Sequence, residues 1–302
     1  VRNEGYAYRS VIGNECDGEV LLSHLARVYG HSDELSWQGR IARGEVMLDG
    51  VVAGGEEVVR RGQELVWNRR PWVEPDVPRE FEVLFEDEWL LAVNKPSGLP
   101  TLPGGGFLEN TLLRLVRKRW AEVSPVHRLG RGTSGIVLFA KTAEAAGKVL
   151  TSWNTDEVEK VYWAVAAGVA ELDAYDIQKP IGLVGYERLG RVWAADAGGK
   201  ASRSVARVVL RGEAVTLFEV KLFSGRPHQI RIHLASIGYP LVGDPLYGLG
   251  GLPLGGLAGL PGDGGYRLHA GRLRLRHPFS GEVMEVKAAL PDGLKSISGG
   301  CD

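Results

Sequence analysis

The chain has 302 residues, 44% hydrophobic and 24% charged, which suits a globular protein with one large domain and one small one. No stretch approaches the ~18 consecutive apolar residues of a membrane helix, and no basic-then-apolar leader is visible, so the expectation is a protein outside the membrane. With only Cys16 and Cys301, neither a disulfide framework nor a cysteine zinc site is expected; a reducing, cytoplasmic compartment fits best, with an organelle open if a transit peptide lies outside this chain. A net charge of −1 does not favour a nucleic-acid binder, but phosphate binding needs only a local patch. The 26 arginines against 10 lysines supply the planar fork that grips phosphate through two bonds at once, although GC-rich coding gives the same bias.

Residues 1–17 show no period and read as an N-terminal arm. A compact pattern fills residues 18–67. Leu21, Leu22, Leu25 and Val28 fall on one helical face, and a second helix closes on Arg43-Gly44. A strand at Val46–Leu48, an Asp49-Gly50 hairpin turn and a last strand near Gly62–Val66 complete this small module. Residues 68–80 carry three prolines and read as an extended linker. A larger domain is expected over residues 81–292, with a tail at 293–302.

Within that domain the pattern predicts strands at Phe81–Phe85, Trp89–Val93, Ile136–Ala140 and Glu159–Val165. A hairpin of Ala201–Leu210 and Ala214–Phe223 turns at Arg211-Gly212. Closing strands lie at Tyr266–Leu275 and Glu282–Ala288. Helices are expected at Thr111–Trp120, Glu144–Trp153 and in SGRPHQIRIHL as it leaves its loop. Many short strands and few long helices argue for an α+β fold on a mixed or antiparallel sheet. The Gly/Leu/Pro-rich stretch 249–265 has no packing signal and is expected to be mobile.

The most chemical stretch is HRLGRGTSGIVLFAKT, His127–Thr142, a glycine-rich turn bearing His127, Arg128 and Arg131 at the edge of a buried strand. Such a turn suits an anionic ligand. Together with LFEDEWLLAVNKPSGLP upstream and SGRPHQIRIHLASIGYPLVGDPLYG downstream, it closely resembles the motifs of the RluA-type pseudouridine synthases. Residues 18–67 also resemble the small ribosomal-protein-type RNA-binding module that often precedes that domain. The resemblance implies an RNA-modifying isomerase acting on uridine in rRNA or tRNA as a monomer, with the target nucleotide flipped from its stack.

By motif match the resemblance assigns the sugar-directed acid to position 130, the space vacated by the flipped base to Arg128, the wall beside that base to Tyr162, and the acid's partner to Arg231. His127, Arg131, Lys95, Arg226 and His228 are expected to meet RNA in the cleft, and Arg40, Arg43, Arg60 and Arg61 to form the RNA face of the small module. Position 130, however, is Gly130, and Gly132 is also a glycine. Asp244 of the GDPLYG turn reads as a brace for that turn. An active branch using another group and a catalytically silent RNA-binding or ribosome-assembly protein both fit. A glycosidase using Glu86-Asp87-Glu88 does not, because those acids sit in a solvated turn.

Overall fold

The computed structural model describes residues 1–153, 155, 157–187, 189–256 and 259–295. The chain divides into two compact units, Val1–Glu74 with Glu187–Gly190, and Pro75–Tyr186 with the chain from Arg191 onward. In the first, β1 (Tyr6–Val11), α1 (Leu21–Val28), α2 (Glu34–Ala42), β2 (Val46–Leu48), β3 (Val51–Val52) and β4 (Glu64–Arg69) build a sheet in the order β1-β4-β2-β3 under two helices. Leu21, Leu22 and Leu25 of α1 pack with Trp37 and Ile41 of α2 onto Val46 and Leu65, while Val28 is exposed. Asp49 and Gly50 both take positive φ, the geometry a two-residue hairpin turn requires.

Two boundary expectations are corrected here. The N-terminal arm is a strand, β1, antiparallel to β4 with Tyr6 opposite Arg69 and Tyr8 opposite Trp67. The alternation in YAYRSV was masked because its one regular face carries tyrosines at a sheet edge, not aliphatic residues. The expected linker is also partly structured. β4 runs to Arg69, the Asn3 side chain donates to Glu74 and accepts from Trp72 N, and Val77 and Phe81 pack against a core of the second unit.

The second unit holds β5 (Glu82–Glu86), β6 (Leu90–Lys95), α3 (Leu112–Arg117), β7 (Ser124–Pro125), β8 (Ser134–Ala140), α4 (Ala143–Ser152) and β9 (Glu159–Ala167). It continues with β10 (Ala174–Ile177), β11 (Ile181–Tyr186), β12 (Gly190–Ala195), β13 (Ser204–Arg211), β14 (Val215–Leu222) and α5 (Gln229–Ser236). β15 (Leu268–Arg276), β16 (Val283–Lys287) and α6 (Asp292–Lys295) close it. The main sheet runs β10-β13-β14-β9-β15-β8-β6-β5, with β16 on β15 and β7 on β8. Every pair in it is antiparallel except β15–β8. The fold is therefore α+β on a mixed sheet. The expected C-terminal tail begins as α6, whose Leu294 is buried beside Val165 and Leu217; residues 296–302 of that tail lie outside the described residues.

β8 is buried at all seven positions, as a central strand covered on both faces must be. Gly135 sits at φ 106 with the Ala270 backbone against the place a side chain would take, so only glycine lets β15 approach there. The helix α5 is unusual in another way. Gln229, Arg231 and His233 have polar side chains and are nevertheless buried. Gln229 donates to Arg203 O and Ser204, and His233 bonds with Ser202 and Ser204. Each buried polar group thus has a fixed partner, which locks the register of α5 on the sheet.

Lys95, expected to meet RNA, is instead an internal tie. It is fully buried, and Nζ donates to Pro96 O (2.9 Å), Leu99 O (2.7 Å) and Arg131 O (3.3 Å), pinning the end of β6 to the Arg131 turn. Burial pulls its pKa from 10.5 down to about 7. The unfolded chain therefore holds this proton across a window in which the folded chain has released it, and stability rises with pH through that window. Lys95→Met orphans three carbonyls and is expected to lower stability by about 1–3 kcal/mol. Its deficit relative to the wild type should widen above about pH 7, and denaturant titrations at two pH values check both the sign and the slope.

Candidate active site

Arg231, on the first turn of α5, is 2% exposed, and its carboxylate partner Asp244 is 1% exposed. The pair is bidentate: Nε donates to Oδ2 and Nη2 to Oδ1, both at 2.7 Å. The remaining Nη1 donates to Pro261 O at 3.3 Å. The guanidinium also lies over the rings of Tyr266 (4.2 Å) and Tyr247 (4.8 Å). Burial alone would pull the Arg231 pKa down, but the hydrogen bonds and charge of Asp244 hold it above its ordinary value. Asp244 does brace its turn, accepting from Leu246 N and Tyr247 N, and it also takes the partner role that Gly130 cannot.

Tyr266 links this pair to the motif turn. Its hydroxyl lies 3.2 Å from Thr133 Oγ1 and 2.8 Å from the point where a side chain at position 130 would begin. A side chain at Gly132 would meet the Tyr266 ring and the Gly264 backbone, each at 2.9 Å. The two glycines therefore follow from packing: the segment leading into β15 occupies the space above the turn. The 249–265 stretch, which carries no packing signal in the sequence, is packed at several points. Gly251 is buried, Pro261 O caps Arg231, and Gly262 O accepts from Arg131 Nε at 2.8 Å. Residues 257 and 258 lie outside the described residues.

Three expected site residues surround that turn. Arg128 is exposed and has no ion pair or hydrogen bond among the described residues. Tyr162, on β9 opposite Ala270, is half-buried between a cluster holding Leu129 and one holding Tyr266 and Ile230. Burial raises its pKa to about 12, so it is a neutral donor. His228 takes a left-handed conformation (φ 56) at the start of α5, strained for a residue with a side chain. Tyr247 Oη donates to Trp193 O at 2.7 Å, so its contact with His228 Nδ1, also 2.7 Å, is donated by the histidine. Burial, reinforced by Arg231, lowers the His228 pKa to about 4. The ring is neutral, and its Nε2 is an acceptor.

Several of the remaining expected RNA contacts have partners inside the protein. His127 is stacked on Trp153, and its Nε2 accepts from Leu138 N. Burial drops its pKa to about 3, so it is a neutral strut, not a phosphate-binding cation. Arg131 holds Gly262 O and Asp263. Arg226 is half-buried and donates to Ala201 O. In the first unit Arg43 is ion-paired to Glu45, Arg40 lies between Trp37 and Trp67, and Arg60 and Arg61 are exposed. That unit also gathers Cys16, Glu19 and His24 with ligand atoms within 4.8 Å of one another. Arg27 donates into this group, to Cys16 Sγ at 3.4 Å and Glu19 at 2.8 Å, which places a guanidinium where a metal ion would sit.

Sequence reasoning missed Tyr266 and Tyr247. The signal that could have found Tyr266 is the pair of glycines where side chains are usual, since empty space in a buried turn must be filled from elsewhere.

The family described as RNA pseudouridylate synthase matches residues 89–236. An uncharacterised RNA pseudouridine synthase of Synechocystis is 39% identical, covering 91% of this chain and 95% of that protein. RNA pseudouridine synthase 5 of Arabidopsis thaliana is 37% identical over 97% of this chain and 95% of its own. The ribosomal large subunit pseudouridine synthase D of Pseudomonas aeruginosa is 34% identical over 92% and 90%. Among solved structures, human RNA pseudouridylate synthase domain containing 1 superposes with a TM-score of 0.57 at 25% identity, over 72% of this chain and 86% of that one. With the three motifs in one unit, the chain belongs to the RluA-type family of RNA pseudouridine synthases.

Proposed function

We propose that the chain isomerises uridine in ribosomal or transfer RNA, acting as a cytoplasmic monomer without metal or organic cofactor. The observation that carries this reading is the arrangement of Arg128, Tyr162, His228 and Arg231 about one turn in one unit. A uridine must leave its stack before its glycosidic bond can be reached. Tyr162 then forms the wall beside the flipped base, and the unpaired Arg128 takes the space left behind. Neutral His228 presents Nε2 to a hydroxyl donor of the nucleotide, and Arg226 contributes to phosphate binding. In the small module Arg60 and Arg61 are the free cations of the expected set.

Gly130 itself supplies no chemistry. The polar atom standing at its place is the Tyr266 hydroxyl, which also lies 3.2 Å from Thr133 Oγ1. We assign Tyr266 the contact with the flipped nucleotide's sugar. Tyr266→Phe keeps the ring and its packing, and is expected to lower isomerisation by roughly 100-fold or more, the usual weight of a lost proton-transfer group. RNA affinity should be unchanged. The assay digests the treated RNA and separates uridine from pseudouridine by chromatography; unaltered turnover in the variant would remove Tyr266 from this role.

A second reading, a catalytically silent RNA-binding or ribosome-assembly protein, is favoured by Asp244, whose carboxylate is committed to Arg231 and two backbone amides. Wild-type protein that binds RNA and leaves every uridine intact would decide for it.

Restoring an acid tests the packing argument separately. Gly130→Asp drives its Cβ against Tyr266 Oη and is expected to cost about 1–3 kcal/mol, as overpacked positions do. Adding Tyr266→Phe should recover part of that loss in thermal unfolding. If the wild type is silent, the double variant and not the single one should gain isomerisation.

A further inference from the structure

We infer that the first unit carries a stacking platform for unpaired RNA bases, formed by Tyr6 and Tyr8 on β1 with Trp67 and Arg69 on β4. The inference rests on the RNA-directed function proposed above and names the kind of RNA the small module takes. The strand register puts all four side chains on one face of the sheet. Tyr6 is 48% and Tyr8 40% exposed, although both lie on an ordered edge strand. Tyr8 is stacked on Trp67 with ring centres 5.2 Å apart and planes 20° apart, and Tyr6 meets Tyr8 edge-on at 4.8 Å. The outer tyrosines thus extend a stack already begun inside the unit, leaving open aromatic surface at its end.

Charge selects the partner. Arg9, Arg27, Arg43 and Arg70 of this unit are ion-paired to Glu64, Glu19 and Glu45. Arg69 is not: among the described residues it has no ion pair with an acid, whereas Arg40 feels the charges of Glu45 and Asp33. Arg69 lies on Trp72 at 3.5 Å and within 5.8 Å of Trp67, and Arg40 sits between Trp37 and Trp67 at 4.3 and 4.5 Å. Arg40 Nη1 is a buried donor with no acceptor. An unpaired guanidinium, Arg69, beside the exposed rings of Tyr6 and Tyr8 fits a polyanion with exposed π-faces. Single-stranded RNA has both, because every unpaired base offers a face and every nucleotide a phosphate. A duplex hides its base faces and is a poor fit to this surface.

The test compares full-length wild type, Tyr6→Thr/Tyr8→Thr and Arg69→Gln for binding to a fluorescent single-stranded oligouridylate and to a duplex of equal length. Threonine retains strand propensity, so the edge strand should persist, and unfolding curves check that it does. The tyrosine variant is expected to bind the single strand about tenfold more weakly, in the range for one lost stacked base, with duplex binding unchanged. Arg69→Gln should weaken single-strand binding and flatten its salt dependence. Equal affinity of folded variant and wild type, equal losses for both RNAs, or a wild-type preference for duplex would each overturn the platform. Isomerisation of an RNA fragment is measured in parallel. If the wild type turns over and the tyrosine variant binds normally, the platform fails and the enzyme reading stands; if the wild type never turns over, that reading fails whatever the platform does.

Discussion

A guanidinium and a carboxylate removed from water together, Arg231 and Asp244, set the geometry on which the candidate site of the second unit depends. Taking two ions out of solvent costs several kcal/mol each, and such a pair holds only when its geometry is good and its other donors and acceptors are satisfied. Here the pair is bidentate, the spare guanidinium nitrogen has Pro261 O, and the carboxylate also accepts two backbone amides. Removing one partner would strand the other charge, at a cost of about 3–5 kcal/mol. Four segments are therefore obliged to meet at one point: α5, the Asp244 turn, the Pro261 segment and the chain carrying Tyr266 into β15.

The fate of the motif turn follows from that meeting. Once Tyr266 is fixed beneath Arg231, its hydroxyl falls where a side chain on residue 130 would start, and the ring and Gly264 crowd residue 132. A carboxylate at 130 and this placement of Tyr266 are mutually exclusive without a shift. The glycines are thus one half of a paired arrangement whose other half lies more than a hundred residues away in the chain. Asp244 and Tyr266 have divided what a single acid would do: one compensates the buried arginine, the other offers a polar atom at the turn.

That division explains what could and could not be read from the sequence. Strands with strong local signals were legible, such as the unbroken apolar run of β8 and the Asp49-Gly50 hairpin, because burial and turn chemistry act over a few residues. Arg231 was legible as the arginine in need of a partner, but the partner was not, since pairing across α5 and the next turn depends on tertiary placement. β1 escaped because nearly all of its residues are exposed and its one regular face carries tyrosines, not aliphatic residues. Lys95 and His127 were misassigned for a common reason: charge type in a motif does not say which way the side chain turns. One is consumed by three carbonyls and the other by an amide and a tryptophan.

Net charge misleads about RNA binding for a related reason. At −1 the chain looks indifferent to a polyanion, yet what counts is how many cations remain uncompensated and where they sit. Many of the arginines are answered by nearby carboxylates or carbonyls. Among the described residues, Arg128 in the second unit and Arg69 in the first belong to those without an ion pair to an acid. Each is accompanied by aromatic surface in its own unit, Tyr162 in one and Tyr8 with Trp67 in the other. Free charges set beside flat rings favour contacts in which stacking joins phosphate attraction in supplying the affinity. Such contacts discriminate unpaired or flipped nucleotides from duplex, because only the former expose a face to stack on.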